Sequence, residues 1–469
     1  MSQNRAKMES LIDDAKPAVF WSDRSDRPEP LPALSGPEDA DLTIVGGGFS
    51  GLWAALLACT QDPGREVVVV EAQTCGFGAS SRNGGFCDAS LTHGFLNGLS
   101  HWPKEIGALE RMGAENLDEL IATCASHKID AGIERTGSLS VATQEWQAEE
   151  LLEYHELAAA HGIALDRLDT EEVRAQLNSG SFLSGLWDRE GTAMVDPARL
   201  VWGLRRACLD LGARIFEHSP VRGTERQDRE ILVTTDAGVV SSPKVLVATN
   251  AWAEPVRAIR RYVVPIYDHV LMTEPLSSEQ MALIGWGSRQ GVSDSGNQFH
   301  YYRLTEDNRI LWGGFDANYH RGNGMGPSYE LRKESHTLVA GHFFDTFPQL
   351  EGLRFSHRWA GPIGTTSKFT AAFGTAHQGD LVWVAGYTGL GVGASRWGAR
   401  TALDLLDNVV SERTELAMVR KKPMPFPPEP LRNPVIQFTR RQIAKADQNQ
   451  GKQGAWLRLL GAFGVGFDS

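Results

Sequence analysis

The stretch DLTIVGGGFSGLWAALLACTQDPGREVVVVEA, Asp41 to Ala72, decides the fold. LTIV (42–45) and VVVV (67–70) are uncharged β-branched runs, the pattern of strands buried on both faces of a parallel sheet. Between them a helical pattern, apolar nearly all round, runs from Gly51 to about Thr60. Strand, Gly-rich turn, helix and strand make a βαβ unit. Gly46, Gly48 and Gly51 stand at G-x-G-x-x-G spacing on the first turn. The first permits the turn, the second lets the main chain approach a pyrophosphate, and the third lets helix and strand pack closely. The N–H groups opening the helix, around Phe49 and Ser50, then face the phosphates. Glu71, followed by Ala72, ends the second strand where a carboxylate can accept hydrogen bonds from a ribose diol. A dinucleotide site is therefore expected. A tight turn without a ligand is the bland alternative.

At 469 residues the chain is too long for one core, and two interleaved domains are expected. Hydrophobic content of 42% and charged content of 22% are ordinary for a globular protein. The net charge of −12 repels phosphate backbones, so no nucleic-acid partner is expected. No segment approaches the roughly 18 apolar residues of a membrane span. The N-terminus is polar, without the apolar core of a signal peptide, so a cytoplasmic protein is expected. Cys59, Cys75, Cys87, Cys124 and Cys208 form no C-x-x-C pair, which argues against a disulfide framework or a metal site.

Beyond Ala72, TCGFGASSRNGGFCDAS is a Gly- and Ser-dense loop. Amphipathic helices are predicted over 104–126, 145–161 and around 329–344. Asp196 before Pro197 marks another helix start. ILVTTDAGVVSSPKVLVATNAWA reads as a strand, a turn at Asp236–Gly238, and one further strand ending in VLVATNAW. YYRLTEDNRILWGG reads as a hairpin. DLVWVAGYTGLGVGASRWGARTALDLL repeats the strand, Gly-rich turn and helix far downstream. In the first 40 residues Phe20 and Trp21 are expected to pin a leader to the body. From about 411 the tail is Pro-rich and then basic. It reads as a strap or an oligomer contact rather than a partner-binding arm.

Gly-rich strand-to-helix turns at both ends of the chain suggest a nucleotide domain assembled from distant segments. Here the sequence resembles the D-amino-acid oxidase-like FAD-dependent oxidoreductases, the group of glycine and sarcosine oxidases and γ-glutamylputrescine oxidoreductase. The resemblance runs from Asp41 to about Leu406. It rests on Gly46, Gly48, Gly51 and Glu71; on GASSRNGG with Ser80, Ser81, Arg82, Asn83 and Gly84; on Val221; on VLVATNAWA with Thr249 and Asn250; and on AGYTGLGVG with Gly389, Leu390 and Gly391. The resemblance implies that these residues, with Gly361, hold FAD, and that Arg82 adds a positive charge to its loop. It implies a helix start at Gly389–Gly391 aimed at the flavin, whose dipole would favour the reduced, negative ring. Where the family carries a flavin-linking cysteine or loop histidine, WAGPIGTTSKF and SSRNGG have neither, so FAD is expected to be non-covalent.

The resemblance further implies oxidation of a carbon–nitrogen bond in a small amine or amino acid, with oxygen or another acceptor taking the electrons. Oxidation of a 2-hydroxy acid, monooxygenation, and a flavin-holding partner without catalysis are the alternatives. In HYYRL, strand alternation sends Tyr302 and Arg303 to opposite faces, with Tyr302 favoured for the pocket and Arg303 either a carboxylate clamp or a surface residue. His269 could take up the ammonium proton or be structural. Lys368 could face an anionic substrate or be a surface charge, and Trp359 reads as core.

The expected fold is α/β: a Rossmann-like FAD-binding domain assembled from discontinuous segments, with an interleaved α+β substrate domain built on a mainly antiparallel sheet. Residues 41–100, 190–258 and 356–410 are assigned to the first, and 101–189 and 259–355 to the second. Residues 1–40 are the leader and 411–469 the extension. A homo-oligomer is compatible with the sequence.

Overall fold

In the computed structural model, which describes residues 2–466, two sheets organise the chain. The first is six-stranded, in the order 372–376, 381–385, 244–247, 42–45, 67–70, 214–216. All neighbours are parallel except the edge pair 372–376 and 381–385. Leu42–Val45 and Val67–Val70 are buried throughout, and their alternation feeds two cores. Leu42, Ile44, Val67 and Val69 pack under the helices Phe49–Gln61, Pro197–Asp210 and Gly391–Leu406. Val45, Val68 and Val70 face a four-stranded sheet through Ile231, Val233 and Val240. Segments near residues 42–70 and 372–385 thus meet in one sheet, as the two Gly-rich turns require.

The second sheet has nine strands and is mainly antiparallel. Its spine is the long pair Val264–Thr273 and Phe355–Thr365, in register with Asp268 opposite Gly361 and His269 opposite Ala360. The hairpin His300–Leu304 with Ile310–Gly314 lies in this sheet. The helix Lys333–Thr346 packs Val339, Ala340 and Phe343 against the sheet's far side.

Several elements depart from the sequence reading. The strand expected to end in VLVATNAW is two strands. Gly238–Ser242 joins the four-stranded sheet and Lys244–Val247 the parallel one. Pro243, with no N–H to donate, sits at the switch. The helix Ile106–Ser126, from the segment assigned to the substrate half, buries Leu109, Leu117 and Leu120 in the nucleotide-side core. The tail is more than extended chain: after Met424–Pro428 it forms the helices Arg432–Gln448 and Ala455–Ala462. The leader contributes the strand Gly36–Asp39, parallel to Gly238–Ser242.

Within that leader, Trp21 is buried with Val270, Met272, Leu311 and Trp359, and its indole N–H donates to the Asn83 carbonyl at 2.9 Å. Asp196 caps the helix Pro197–Asp210, accepting from the main-chain N–H of Ala198 and Arg199. Among the described residues, no helix is long and apolar enough to cross a membrane.

Candidate active site

A cavity of about 1340 Å³ runs from the edge of the parallel sheet to the face of the antiparallel one. That exceeds what one small molecule needs and leaves room for a dinucleotide beside a second ligand.

The nucleotide end begins at the first Gly-rich turn. Gly46 has φ +109°, and a Cβ there would stand 2.8 Å from the Ala248 carbonyl oxygen. A Cβ on Gly51 would come within 1.8 Å of the Gly46 carbonyl oxygen, so this glycine brings helix and turn together. The helix beginning at Phe49 has no side-chain cap at Gly48, and the helix beginning at Gly391 has none at Leu390. Both starts open on the cavity, offering main-chain N–H groups and positive dipole ends to a ligand with phosphate and carbonyl oxygens. The Ser80 hydroxyl accepts from the Phe49 N–H at 2.9 Å, and the Ser50 hydroxyl donates to Tyr387 Oη at 2.9 Å. Glu71 lines the cavity, accepting from the N–H groups of Gly47 at 2.7 Å and Gln73 at 2.9 Å. Burial raises its pKa, and those two bonds oppose the rise. The glycine cradle, uncapped helix starts and strand-end carboxylate fit FAD.

Ala72, Asn83, Gly84, Val221, Thr249 and Asn250 also line this cavity, as do Gly361 and Gly389. Thr249 donates to the Trp252 carbonyl, and Asn250 Oδ1 accepts from the Gly386 N–H at 2.8 Å. Gly51 and Ser81 lie behind the wall. Gly51 serves the close packing described above, and Ser81 is buried against the turn at Gly76. Arg82 reaches the wall, but its guanidinium is engaged elsewhere. It donates to Glu330 at 2.5 Å, to the Ala360 carbonyl at 3.0 Å and to the Phe77 carbonyl at 2.9 Å. It latches the Ser-rich loop to the second sheet.

On the sheet side, alternation decides which residues enter. Val264, Ile266, Asp268 and Val270 point into the cavity, with Gly361, Ile363 and Thr365 from the neighbouring strand. His269 has the opposite parity. Its ring packs edge-on to His336, its Nε2 lies 3.3 Å from the Tyr329 carbonyl oxygen, and burial pulls its pKa down to about 3. The sequence reading chose Tyr302 for the pocket, but Tyr301 occupies that place. Tyr302 is fully buried behind the sheet among Trp286, Trp312 and Phe347.

Arg303 does not reach the cavity. Its guanidinium donates to the Val195 carbonyl at 2.7 Å and lies 5.7 Å from the Trp21 ring centroid, with its pKa lowered by burial to about 10. Lys368 also stays off the wall, its ammonium 5.3 Å from the Trp102 ring centroid and its pKa lowered by burial. Trp359 is core, as expected.

What sequence reasoning missed is the pair Asp268 and Tyr301. The Tyr301 hydroxyl donates to Asp268 Oδ2 at 2.7 Å, while the buried Oδ1 has no partner among the described residues. Burial raises the Asp268 pKa to about 6 against the lowering effect of the Tyr301 bond. The Tyr301 ring fits because its neighbours are glycines: a Cβ on Gly84 or on Gly313 would each come within 2.7 Å of it. His93 was missed too. It lines the cavity, with Nδ1 unpartnered and its pKa lowered by burial to about 4. No local pattern in SLTHG distinguishes it. The cavity roof is the C-terminal extension, including Phe426, Ile436, Arg440, Trp456 and Leu460.

Comparison with known proteins gives concordant matches. A family model described as FAD dependent oxidoreductase, DAO, matches residues 41–405. The γ-glutamylputrescine oxidoreductase of Escherichia coli (strain K12) is 30% identical over 402 residues, covering 82% of this chain and 88% of that protein. A probable oxidoreductase, OrdL, of Haemophilus influenzae is 29% identical over 385 residues, covering 80% and 84%. Among solved structures, glycine oxidase from Geobacillus kaustophilus superposes with a TM-score of 0.67 at 19% identity, covering 80% of this chain and 96% of that one.

Proposed function

The chain belongs to the DAO family of FAD dependent oxidoreductases, and from that premise we propose that it oxidises the carbon–nitrogen bond of an amine or amino acid. The observation that carries this reading is Asp268, a carboxylate on the cavity wall held in place by the Tyr301 hydroxyl. Such a group attracts an ammonium and repels the carboxylate of a 2-hydroxy acid. The relatives named for γ-glutamylputrescine and glycine support the same substrate class.

Hydride transfer requires the nitrogen unprotonated, so that its lone pair can drive the departure of hydride from the adjacent carbon. With a pKa of about 6, Asp268 is ionised at neutral pH and can accept the ammonium proton. Tyr301 holds the carboxylate in one orientation through its hydroxyl. The apolar walls around Ile266, Phe299 and Phe315 limit water beside the reacting carbon. FAD, when bound, supplies the two-electron acceptor. The substrate loses a hydride from carbon and a proton from nitrogen, and the released imine is hydrolysed by water. Oxygen or another acceptor then takes the two electrons.

Among the described residues no cysteine lines the cavity, which supports a non-covalently held FAD. Acid precipitation should release the yellow colour into the supernatant.

The decisive experiment mixes purified protein anaerobically with amines, amino acids and 2-hydroxy acids and follows loss of flavin absorbance. Reduction by amines is expected. Reduction by hydroxy acids alone would overturn the reading. Bleaching only by NADPH would favour a monooxygenase. Admitting air to the reduced protein then separates an oxidase, which reoxidises quickly, from a dehydrogenase.

A further inference from the structure

The family match ends at residue 405, and the cavity's roof lies beyond it, in the helices Arg432–Gln448 and Ala455–Ala462. Each of these helices has two faces. Ile436, Thr439 and Ile443 of the first line the cavity, as do Trp456 and Leu460 of the second. On the outside the first carries Phe438, Arg441 and Lys445 at helical spacing, and the second carries Leu459 with Phe463 at its end, all exposed. The two outer faces adjoin. The Phe438 ring packs edge-on to Trp456 with centroids 5.3 Å apart, and the Trp456 indole donates to the Thr439 hydroxyl at 2.9 Å.

Phe438 is 46% exposed, Leu459 49% and Phe463 65%. Large apolar side chains this open, gathered on one face, mark a surface built for contact. Its charge is as uneven as its polarity. The protein has a net charge of −12, yet between Arg432 and Ala462 six Lys or Arg stand against one acid, Asp447. Asp447 is turned to the N–H groups of Asn297 and Gln298. Arg432 donates to Asn323 Oδ1, and Arg440 is paired with Asp316. The remaining four, Arg441, Lys445, Lys452 and Arg458, are exposed, and none has an ion-pair partner among the described residues.

We infer that the outer face of the roof is a docking surface for an anionic lipid bilayer, which it binds at the interface without spanning it. Apolar side chains enter the headgroup boundary, the basic ones beside them meet lipid phosphates, and the two contributions add. A second copy of the chain fits this face less well. Two-fold pairing sets the same four cations against their own images, and Lys is depleted where proteins bury one another. The acidic body repels nucleic acid. With the face docked, the cover of the cavity lies against the lipid. None of this depends on which bond the enzyme oxidises.

The test sediments the intact FAD-loaded protein with vesicles of phosphatidylcholine alone and with vesicles containing one-third phosphatidylglycerol. Binding should be about tenfold or more tighter on the anionic vesicles and should weaken as salt is raised. Two double variants separate the contributions: Leu459→Ser with Phe463→Ser, and Arg441→Gln with Lys445→Gln. All four positions are exposed on the outer face, so flavin content and melting temperature should match wild type. Each variant should lose about tenfold in affinity for the anionic vesicles. No binding by the wild type, equal binding to neutral vesicles, or unchanged binding in either folded variant overturns the inference. So does light scattering that shows a dimer which the variants split while their vesicle binding persists, because the face is then an interface between copies.

Discussion

Asp268 and Tyr301 differ from their neighbours His269 and Tyr302 by one position, and in a strand that is the difference between cavity and core. The sequence displayed all four side chains. Parity could not be read from it, because both faces of Val264–Thr273 are buried and apolar residues occupy both. Only the register against Phe355–Thr365 fixes which set faces the cofactor. Three predictions belong to this scale. Asp268→Asn should slow amine-driven flavin reduction by about 10²–10⁴-fold, the usual worth of a positioned proton acceptor, with flavin content unchanged. Tyr301→Phe removes a donor to the ionised carboxylate. The Asp268 pKa should therefore rise beyond about 6, and the acid limb of the rate profile should move to higher pH. The third concerns stability. The folded pKa lies above the ordinary 3.8, so folding favours the protonated carboxyl, and that contribution is lost as pH rises through about 6. The amide that replaces the carboxyl stays neutral at every pH. Asp268→Asn should therefore melt higher than wild type at alkaline pH, and the gap should close on acidification.

At the scale of elements, the nucleotide half was the legible part. Its turns need glycine at fixed spacing, and such constraints are local enough to be written in consecutive residues. Gly51 illustrates this: main chain stands against it, so Gly51→Ala must lift the helix Phe49–Gln61 from its turn. A loss of about 1–3 kcal/mol is expected from overpacking alone. It should appear as a lower melting temperature and a reduced flavin-to-protein absorbance ratio. The roof was less legible. RKKPMPFPPEPLR reads as extended chain, and the helices behind it owe their place to contacts with distant residues. Asp447, for example, accepts from the main-chain N–H groups of Asn297 and Gln298. A hydrogen bond between positions so far apart in the chain leaves no periodic trace.

Across the whole molecule, small sequence-distant pieces join the two sheets. Trp21 binds the Asn83 carbonyl on the cofactor side while packing against Val270 and Leu311 on the substrate side. Arg82 and Glu330 make a second tie. Trp21→Ala should cost about 3–5 kcal/mol, as large core truncations do. Because the Asn83 loop loses a donor at its back, flavin should also dissociate more readily, measurable as a raised dissociation constant on titration of the apoprotein.

The roof also has a temporal meaning. A polypeptide is made from its N-terminus, and its domains condense in that order. Here the segment that covers the cavity follows both Gly-rich turns in the chain. While it is still being made, both Gly-rich turns have already been translated. The residues of the two turns that cradle the coenzyme are thus all translated before those that cover it.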